Sequence, residues 1–497
     1  MFPFAARSRP SPASVLLAAA CVALTITSAW AAKPPAARRL SEIEVHNQVL
    51  NRLAFGPRPG AQREVSKLGW ENWVRQQLRP SEIDDADCEA LLKDRCPSLS
   101  LSLAELMKQG EGSDREAVEK SRHTIKDELR ESVLLSAVHS RRQFQEVMVE
   151  FWRNHFNVDV NKVPFLATHY ERHVLRKQAF GKFDELLLAT AQHPAMLVYL
   201  DNYISNRRGL NENYAREIME LHTLGVDNQY SQADVVALAR TLTGWSCGWA
   251  NDASGQRDYA FTFKPEDHDS QPVKFLDLEL DGRDGLADGR QAILYLAHHP
   301  GTAKFLATKL CRYLIDDNPP PELVERVAGV FVRSGGNLTD VYEAIVFSPE
   351  FNSVAHYRTK FKTPFEFTVS ALRATDARIG SAKPIFRDLE AMGQPIYECV
   401  EPTGFADQRE AWLDPGVMIY RWNFAIALVT GKIPDARAGD EFMDEMLKPA
   451  PANRSRAIMK LLLPGVVDKQ TEKLIAFTPD VRAQVAYALG SPAFQQQ

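Results

Sequence analysis

Val133-Leu134-Leu135-Ser136-Ala137-Val138 and Val147-Met148-Val149-Glu150-Phe151-Trp152 decide the fold class. Val133, Leu134, Ala137 and Val138, then Val147, Met148, Phe151 and Trp152, recur at spacings of one, three and four. Such spacing gathers side chains on one side of a helix and would scatter them over both faces of a strand. The period continues through Val235, Val236, Leu238 and Ala239, from Gly289 to Leu296, and through Ala303, Phe305, Leu306, Leu310, Tyr313 and Leu314. Start signals agree, with Ser41 three residues before Glu44 and Ser231 three before Asp234. Gly181 and Gly225 close two of the runs, and Pro319-Pro320-Pro321 marks a turn before a helix from Glu322 to Ser334. The prediction is a mainly α, multi-helix globular protein.

One segment departs from this period. Between Gly244 and Gly289 the chain is rich in Gly, Asp and aromatic residues, and Tyr259-Ala260-Phe261-Thr262-Phe263 alternates as a strand does. It reads as an irregular insertion with a small hairpin, and as the only notable strand content. The insertion, 244–289, separates an N-terminal helical region, 32–243, from a C-terminal one, 290–497, all within one continuous domain from 32 to 497.

The first residues read as a secretory signal: Arg7 and Arg9 precede an apolar run from Val15 to Trp30 that ends in Ala29-Trp30-Ala31. Cleavage is predicted after Ala31, giving a periplasmic or extracellular protein. The run is short for a membrane span and carries Thr25, Thr27 and Ser28. A lipid on Cys21 is the weaker alternative, because Val22, Ala23 and Leu24 continue the apolar stretch beyond it, and no Arg-Arg pair marks twin-arginine export. Losing Arg7 and Arg9 takes the balance of 59 Lys+Arg against 64 Asp+Glu from -5 to -7. That charge argues against a nonspecific nucleic-acid binder. Five cysteines follow the leader, and Cys88 with Cys96 is the best candidate for a disulfide, set against five small buried thiols.

The segment densest in groups that bind or move protons runs from Asn211 to Gly225. On a helix Asn213, Arg216, Glu217 and Glu220 share one face, while His222 points the other way beside Ile218 and Met219. That arrangement suits a helix surrounded by protein, with Arg216 and Glu217 buried and paired. The competing reading is a solvated charged face, the usual role of charges at this spacing. Similar groups stand nearby in sequence: Phe151-Trp152-Arg153-Asn154-His155-Phe156, His193-Pro194, Thr243-Gly244-Trp245 and Glu266-Asp267-His268-Asp269. His169 and His173, four apart, could meet on one helical face as a metal pair would need, but Tyr170 follows His169, so the His-Glu-x-x-His pattern is absent. His46, His123, His139 and His356 read as hydrogen-bonded core histidines. There is no Gly-x-Ser-x-Gly elbow, no phosphate-binding Gly-x-x-x-x-Gly-Lys loop and no Cys-x-x-Cys. Any chemistry rests on carboxylate, imidazole and guanidinium groups.

Arg52-Leu53-Ala54-Phe55-Gly56-Pro57-Arg58-Pro59-Gly60 resembles the opening of the domain of unknown function 1800 family. The resemblance continues through Phe151 to Phe156, His193-Pro194-Ala195-Met196, Asn211 to Gly225, Leu242-Thr243-Gly244-Trp245, His268-Asp269, His299 to Ala303 and Ser348-Pro349-Glu350-Phe351. It covers nearly the whole mature chain in order. The family carries no assigned activity. The resemblance implies export and, as a partner, another exported protein similar to sulfatases, since the two are often encoded side by side. One departure stands out: where the family has a Gly-Trp region, this chain has Pro402-Thr403-Gly404-Phe405 and a longer polar segment up to Trp412, which puts the role of that region in doubt.

Two readings follow. In the first, an extracytoplasmic, hydrolase-like enzyme gathers His155, His193, Asn213, Arg216, Glu217, Glu220, His222 and His268 into one site. A divalent metal is the candidate cofactor there, with Glu217, His155, His193 and His268 as candidate ligands. In the second, the same polar groups form a buried network that fixes helices in place, and the protein is a noncatalytic partner of another exported protein.

Overall fold

The computed structural model describes residues 38–497, apart from 227–229, 252–254, 256 and 466. The signal segment, its cleavage site and Cys21 lie outside the described residues. Helix α1, Glu42–Arg52, begins at the expected box, with Glu44 Oε2 accepting from Ser41 N at 2.8 Å. Helices α2, Arg115–His139, and α3, Gln143–His155, are the pair read from the opening stretch. All eight periodic apolar residues quoted there are buried. Trp152 carries a polar edge into this core, and its indole N–H donates to Tyr342 Oη at 2.7 Å, which donates in turn to Ala179 O. A buried tryptophan needs such a partner, and cutting one to Ala costs about 3–5 kcal/mol.

After a helix over 167–178 come α4, Phe183–Gln192, and α5, Pro194–Tyr199. Helix α6, Asn213–Glu217, runs into a π-helical turn over Ile218–Thr223, and a second π turn, Glu171–Leu175, interrupts the 167–178 helix. Such turns are rare and recur at functional sites. Helix α7, Gln232–Thr241, starts at the expected Ser231 and Asp234 box.

The insertion holds two hairpins rather than one. Strand β1, Trp245–Asn251, pairs antiparallel with β2, Arg257–Phe263, and β3, Val273–Phe275, with β4, Leu278–Leu280. Helix α8, Gly285–His298, begins four residues inside the expected insertion, N-capped by Asp284. Its glycines explain the early start: a Cβ on Gly285 would stand 2.4 Å from His268 Nε2, and one on Gly289 2.4 Å from the Trp245 ring. The helix therefore presses its backbone against the two side chains that anchor the hairpins. Helices α9, Pro300–Leu314, α10, Pro364–Ala374, α11, Pro415–Thr430, and α12, Val481–Gly490, complete the part of the fold that matters below. A two-residue ladder, Arg378–Ile379 with Ala436–Arg437, lies outside the insertion. One apolar core runs from Leu40 to Phe494.

Cys88 and Cys96 are not bonded, and all five described cysteines are free. Cys88 lies in a helix over Ala86–Arg95 and Cys96 just past its end. Eight residues of helix rise separate them by about 12 Å, beyond disulfide reach. His123 and His139, read as core residues, are both exposed on α2. Among the described residues no helix is long and apolar enough to cross a membrane.

Candidate functional site

The eight residues singled out in the sequence settle into four separate environments. His155, at the end of α3, is buried. Its Nε2 donates to the His222 carbonyl oxygen at 3.1 Å, which leaves Nδ1 to accept from Lys309 Nζ at 3.3 Å. Burial, with the Lys309 charge behind it, holds the His155 imidazole far below its ordinary range and brings His222 down to about 3. His222 Nε2 has no partner. His193 caps α5, its Nδ1 accepting from Ala195 N at 3.1 Å, so Nε2 carries the proton and donates to His169 Nδ1 at 3.0 Å. The rings of His173, His169 and His193 stack in a row from the surface inward. His268 is held by Thr243 O, 3.0 Å from Nδ1, and its Nε2 faces α8 unpartnered.

The motif helix lies on a half-open face. Asn213 is exposed, and its amide donates to Leu200 O at 3.3 Å. Arg216 pairs with Glu212 at 3.2 Å and Glu220 at 3.4 Å and donates to Gln232, not to Glu217. The expected Arg216–Glu217 pair fails because neighbours in a helix point apart, while residues four apart meet. Glu217 is left half-buried, its carboxyl raised by burial and by Glu220, with Arg216 only partly offsetting. Among the described residues no three His, Cys, Asp or Glu side chains are arranged to hold a metal ion. Glu217, His155, His193 and His268 do not converge, so they do not fit the metal centre expected of them.

A denser constellation lies along α3. Glu146, Glu150 and Arg153 follow at helical spacing on one face. Arg153 forks onto Glu171 at 2.7 and 3.1 Å and also holds Glu150. Arg176 forks onto Glu146 at 2.6 and 2.9 Å and reaches Glu171 at 3.6 Å. Tyr397 Oη donates to Glu171 Oε2 at 2.6 Å. Burial pushes the Glu171 carboxyl up, but Arg153, Arg176 and Tyr397 outweigh it and hold it below the usual range. Glu150 is the open end of this chain. Burial raises its carboxyl, Arg153 opposes, and Glu171 and Glu366 push the same way as burial.

Glu150 is also where the protein opens. Two narrow adjoining clefts, with cavity volumes of about 20 and 30 Å³, share Glu150, Asn154, Gln394 and Phe405. The first adds Arg153 and Tyr397, and the second adds Tyr313, Lys360, Glu366 and Asp407. Burial raises the Tyr313 phenol, and the charges of Glu366, Glu150 and Asp407 raise it further, so three carboxylates surround it. Lys309 stands one turn earlier on α9; burial lowers its ammonium and Asp407 partly restores it. The cleft thus backs onto His155 through Lys309. Its roof is the segment Pro402 to Asp407, the stretch whose role the sequence left in doubt. A half-buried carboxyl biased toward its protonated form, facing further carboxylates, is the arrangement general acid–base chemistry uses.

A family model described as "Protein of unknown function (DUF1800)" matches residues 48–496. The chain belongs to that family. No curated protein and no solved structure matches it. In this DUF1800 chain the sequence pointed to α3 through His155 but passed over Glu150, Arg153 and Glu171. The available signal was Glu146, Glu150 and Arg153 on one face of an otherwise apolar helix, together with Glu171 between His169 and His173.

Proposed function

We propose that the chain is an exported, hydrolase-like acid–base enzyme whose reacting group is Glu150 in the cleft beneath Pro402 to Asp407. The observation that carries this reading is that Glu150, 18% exposed, opens onto both clefts while its surroundings favour the protonated form. A carboxyl so placed can give a proton to a leaving group, and Asp407 or Glu366 across the cleft can take one from water. No metal enters the proposal, because the residues that would bind one do not meet. Export rests on the leader sequence.

The test is a panel of chromogenic esters, glycosides and phosphate esters assayed with the parent, Glu150→Gln and Glu217→Gln. An activity that falls on the order of 100-fold or more in Glu150→Gln and persists in Glu217→Gln supports the reading. Turnover indifferent to Glu150, or none with any class, overturns it.

A second reading, docking to another exported protein such as a sulfatase-like one, draws support from an open groove lined by Trp422, Leu474, Tyr487 and Pro492. Co-elution of the two purified proteins, abolished by Trp422→Asp, would favour it.

A further inference from the structure

Away from the cleft, α1 meets the segment 357–362 and the chain end 493–497 at a narrow seam with a cavity volume of about 20 Å³. Its lining is polar but unevenly so. Arg358 and Lys362 contribute two cations, no Asp or Glu side chain lines it, and the acid acting on Lys362 is Glu366, which accepts from the lining residue Gln497 at 2.9 Å. Lys362 is 2% exposed; its Nζ donates to Ser370 Oγ at 2.8 Å and sits 4.3 Å over the Phe494 ring. An ammonium has three N–H groups, so a further one is unclaimed. Behind it Arg421 adds a second buried positive charge, donating to Lys362 O at 2.8 Å and leaving Nε and one Nη unpartnered.

Gln48 is the decisive side chain. It is 1% exposed, it lines the seam, and neither its Nε2 nor its Oε1 has a partner among the described residues. A buried carboxamide offers two donors and an acceptor, and leaving all of them unmade is costly. Neighbouring Asn47 is by contrast satisfied, accepting from Gln62 at 2.7 Å and donating to Pro464 O at 3.2 Å. The unmet demand at Gln48 is for a group that both accepts and donates, and the charge around it asks for an anion.

We propose that this seam binds a small oxyanion bearing a hydroxyl, of the bicarbonate or hydrogen phosphate type. Lys362 and Arg358 take its charge, Gln48 Nε2 donates to an oxygen, and Gln48 Oε1 accepts its hydroxyl. The Lys362 amine, lowered to about 7 chiefly by burial and by Arg358 with Glu366 only partly opposing, gains a further counter-charge on binding. The proposal does not depend on the acid–base reading of Glu150.

The full mature chain, dialysed free of oxyanions, is titrated at constant ionic strength with bicarbonate, phosphate, formate or chloride while thermal unfolding is followed, since a ligand of the folded state raises the midpoint. Bicarbonate or phosphate should raise it more than formate, which lacks the hydroxyl, or chloride, and the better of the two names the source. Gln48→Leu should weaken the response about tenfold or more, and Lys362→Met should abolish it. Gln48→Glu keeps the volume and supplies a built-in carboxylate, so it should fold and be indifferent to anions. A seam filled by water alone would show no shift in the parent. That result, or equal shifts in Gln48→Glu and the parent, overturns the proposal.

Discussion

Asn154 reads the backbone of Phe405 with both ends of its carboxamide: Nδ2 donates to Phe405 O at 2.8 Å and Oδ1 accepts from Phe405 N at 2.7 Å, across 251 positions of chain. One turn on, Asn157 Nδ2 donates to Cys399 O at 3.0 Å and Glu401 O at 2.8 Å. Two asparagines at the end of α3 therefore hold the roof of the cleft. The backbone of the roof is fitted to them: Gly404 has φ +71°, and a Cβ there would stand 2.3 Å from Asn154 O.

Asn154→Leu removes both bonds and leaves two backbone groups without partners, so stability should fall by about 1–3 kcal/mol. The Gly404→Ala change should act through the same contact, and the double variant should lose less than the sum of the two. Hydrogen exchange will locate the effect: amides in 400–407 should speed up while those of α2 stay protected. Uniform acceleration over the chain would mean the roof is not a separate unit.

The next comparison separates buried from exposed charge. Glu171→Ala takes the forked partner from Arg153, which keeps only Glu150, and removes a partner from Arg176, a loss of about 3–5 kcal/mol for a broken buried pair. Glu217→Ala removes a carboxylate with no ion-pair partner among the described residues and should cost under about 1 kcal/mol. Urea unfolding of both variants decides it, and equal losses would contradict the placement of the two acids.

Their pH dependences should have opposite signs. The folded pKa of Glu171 lies below its ordinary 4.5, so its contribution is present above that value and is lost as pH falls through the folded pKa. That of Glu217 is raised, so its ionised form burdens the fold at neutral pH and not well below 4.5. Glu171→Gln should therefore be less stable than the parent at pH 7, with the gap closing in acid. Glu217→Gln should be slightly more stable at pH 7 and level with the parent near pH 3. A gap for either variant that is independent of pH would refute the assignment.

The helices were legible because their information is local: the period of Val133 to Val138 and of Val147 to Trp152, and the caps at Ser41 and Ser231, each lie within one or two turns. The hairpin count was not, because the close approach of Gly285 and Gly289 to His268 and Trp245 is set only when α8 packs on the insertion. The site was read from composition. A dense polar motif at 211–225 looked like the centre, yet Glu212, Arg216 and Glu220 lie four apart and satisfy one another on a half-open face, leaving Glu217 outside the pairing. Arg153 and Glu171 are 18 residues apart with a loop and the helical turn Ala167–Tyr170 between them, and neither period nor spacing joins them. Asn154 and Phe405 are more distant still. Only His155 was both singled out and found to back onto the cleft, through Lys309.

The buried histidines carry the last prediction. His155 and His193 are held far below their ordinary 6.5, His169 is lowered to about 4 and His222 to about 3, each chiefly by burial. At pH 5 to 6 they stay neutral in the folded protein, while in the unfolded chain they take up protons. The unfolded state then binds more protons, so stability must fall as pH drops through about 6.5. Each such histidine contributes up to roughly 1.4 kcal/mol per pH unit. Asp388, pushed up to about 6 by burial, works in the other direction as pH falls toward its unfolded value, so the raw profile mixes signs and a difference measurement is needed. His222 is the residue to change. Its Nε2 has no partner and its ring packs 5.0 Å from Phe156, so His222→Phe should fold and should not lose stability at pH 7.5. Between pH 7 and 5 the variant should lose less stability than the parent, by about one histidine's share. Denaturant unfolding of both proteins at several pH values gives the answer, and parallel curves would show that His222 is protonated in the fold and that the neutral His155–His222 arrangement is wrong.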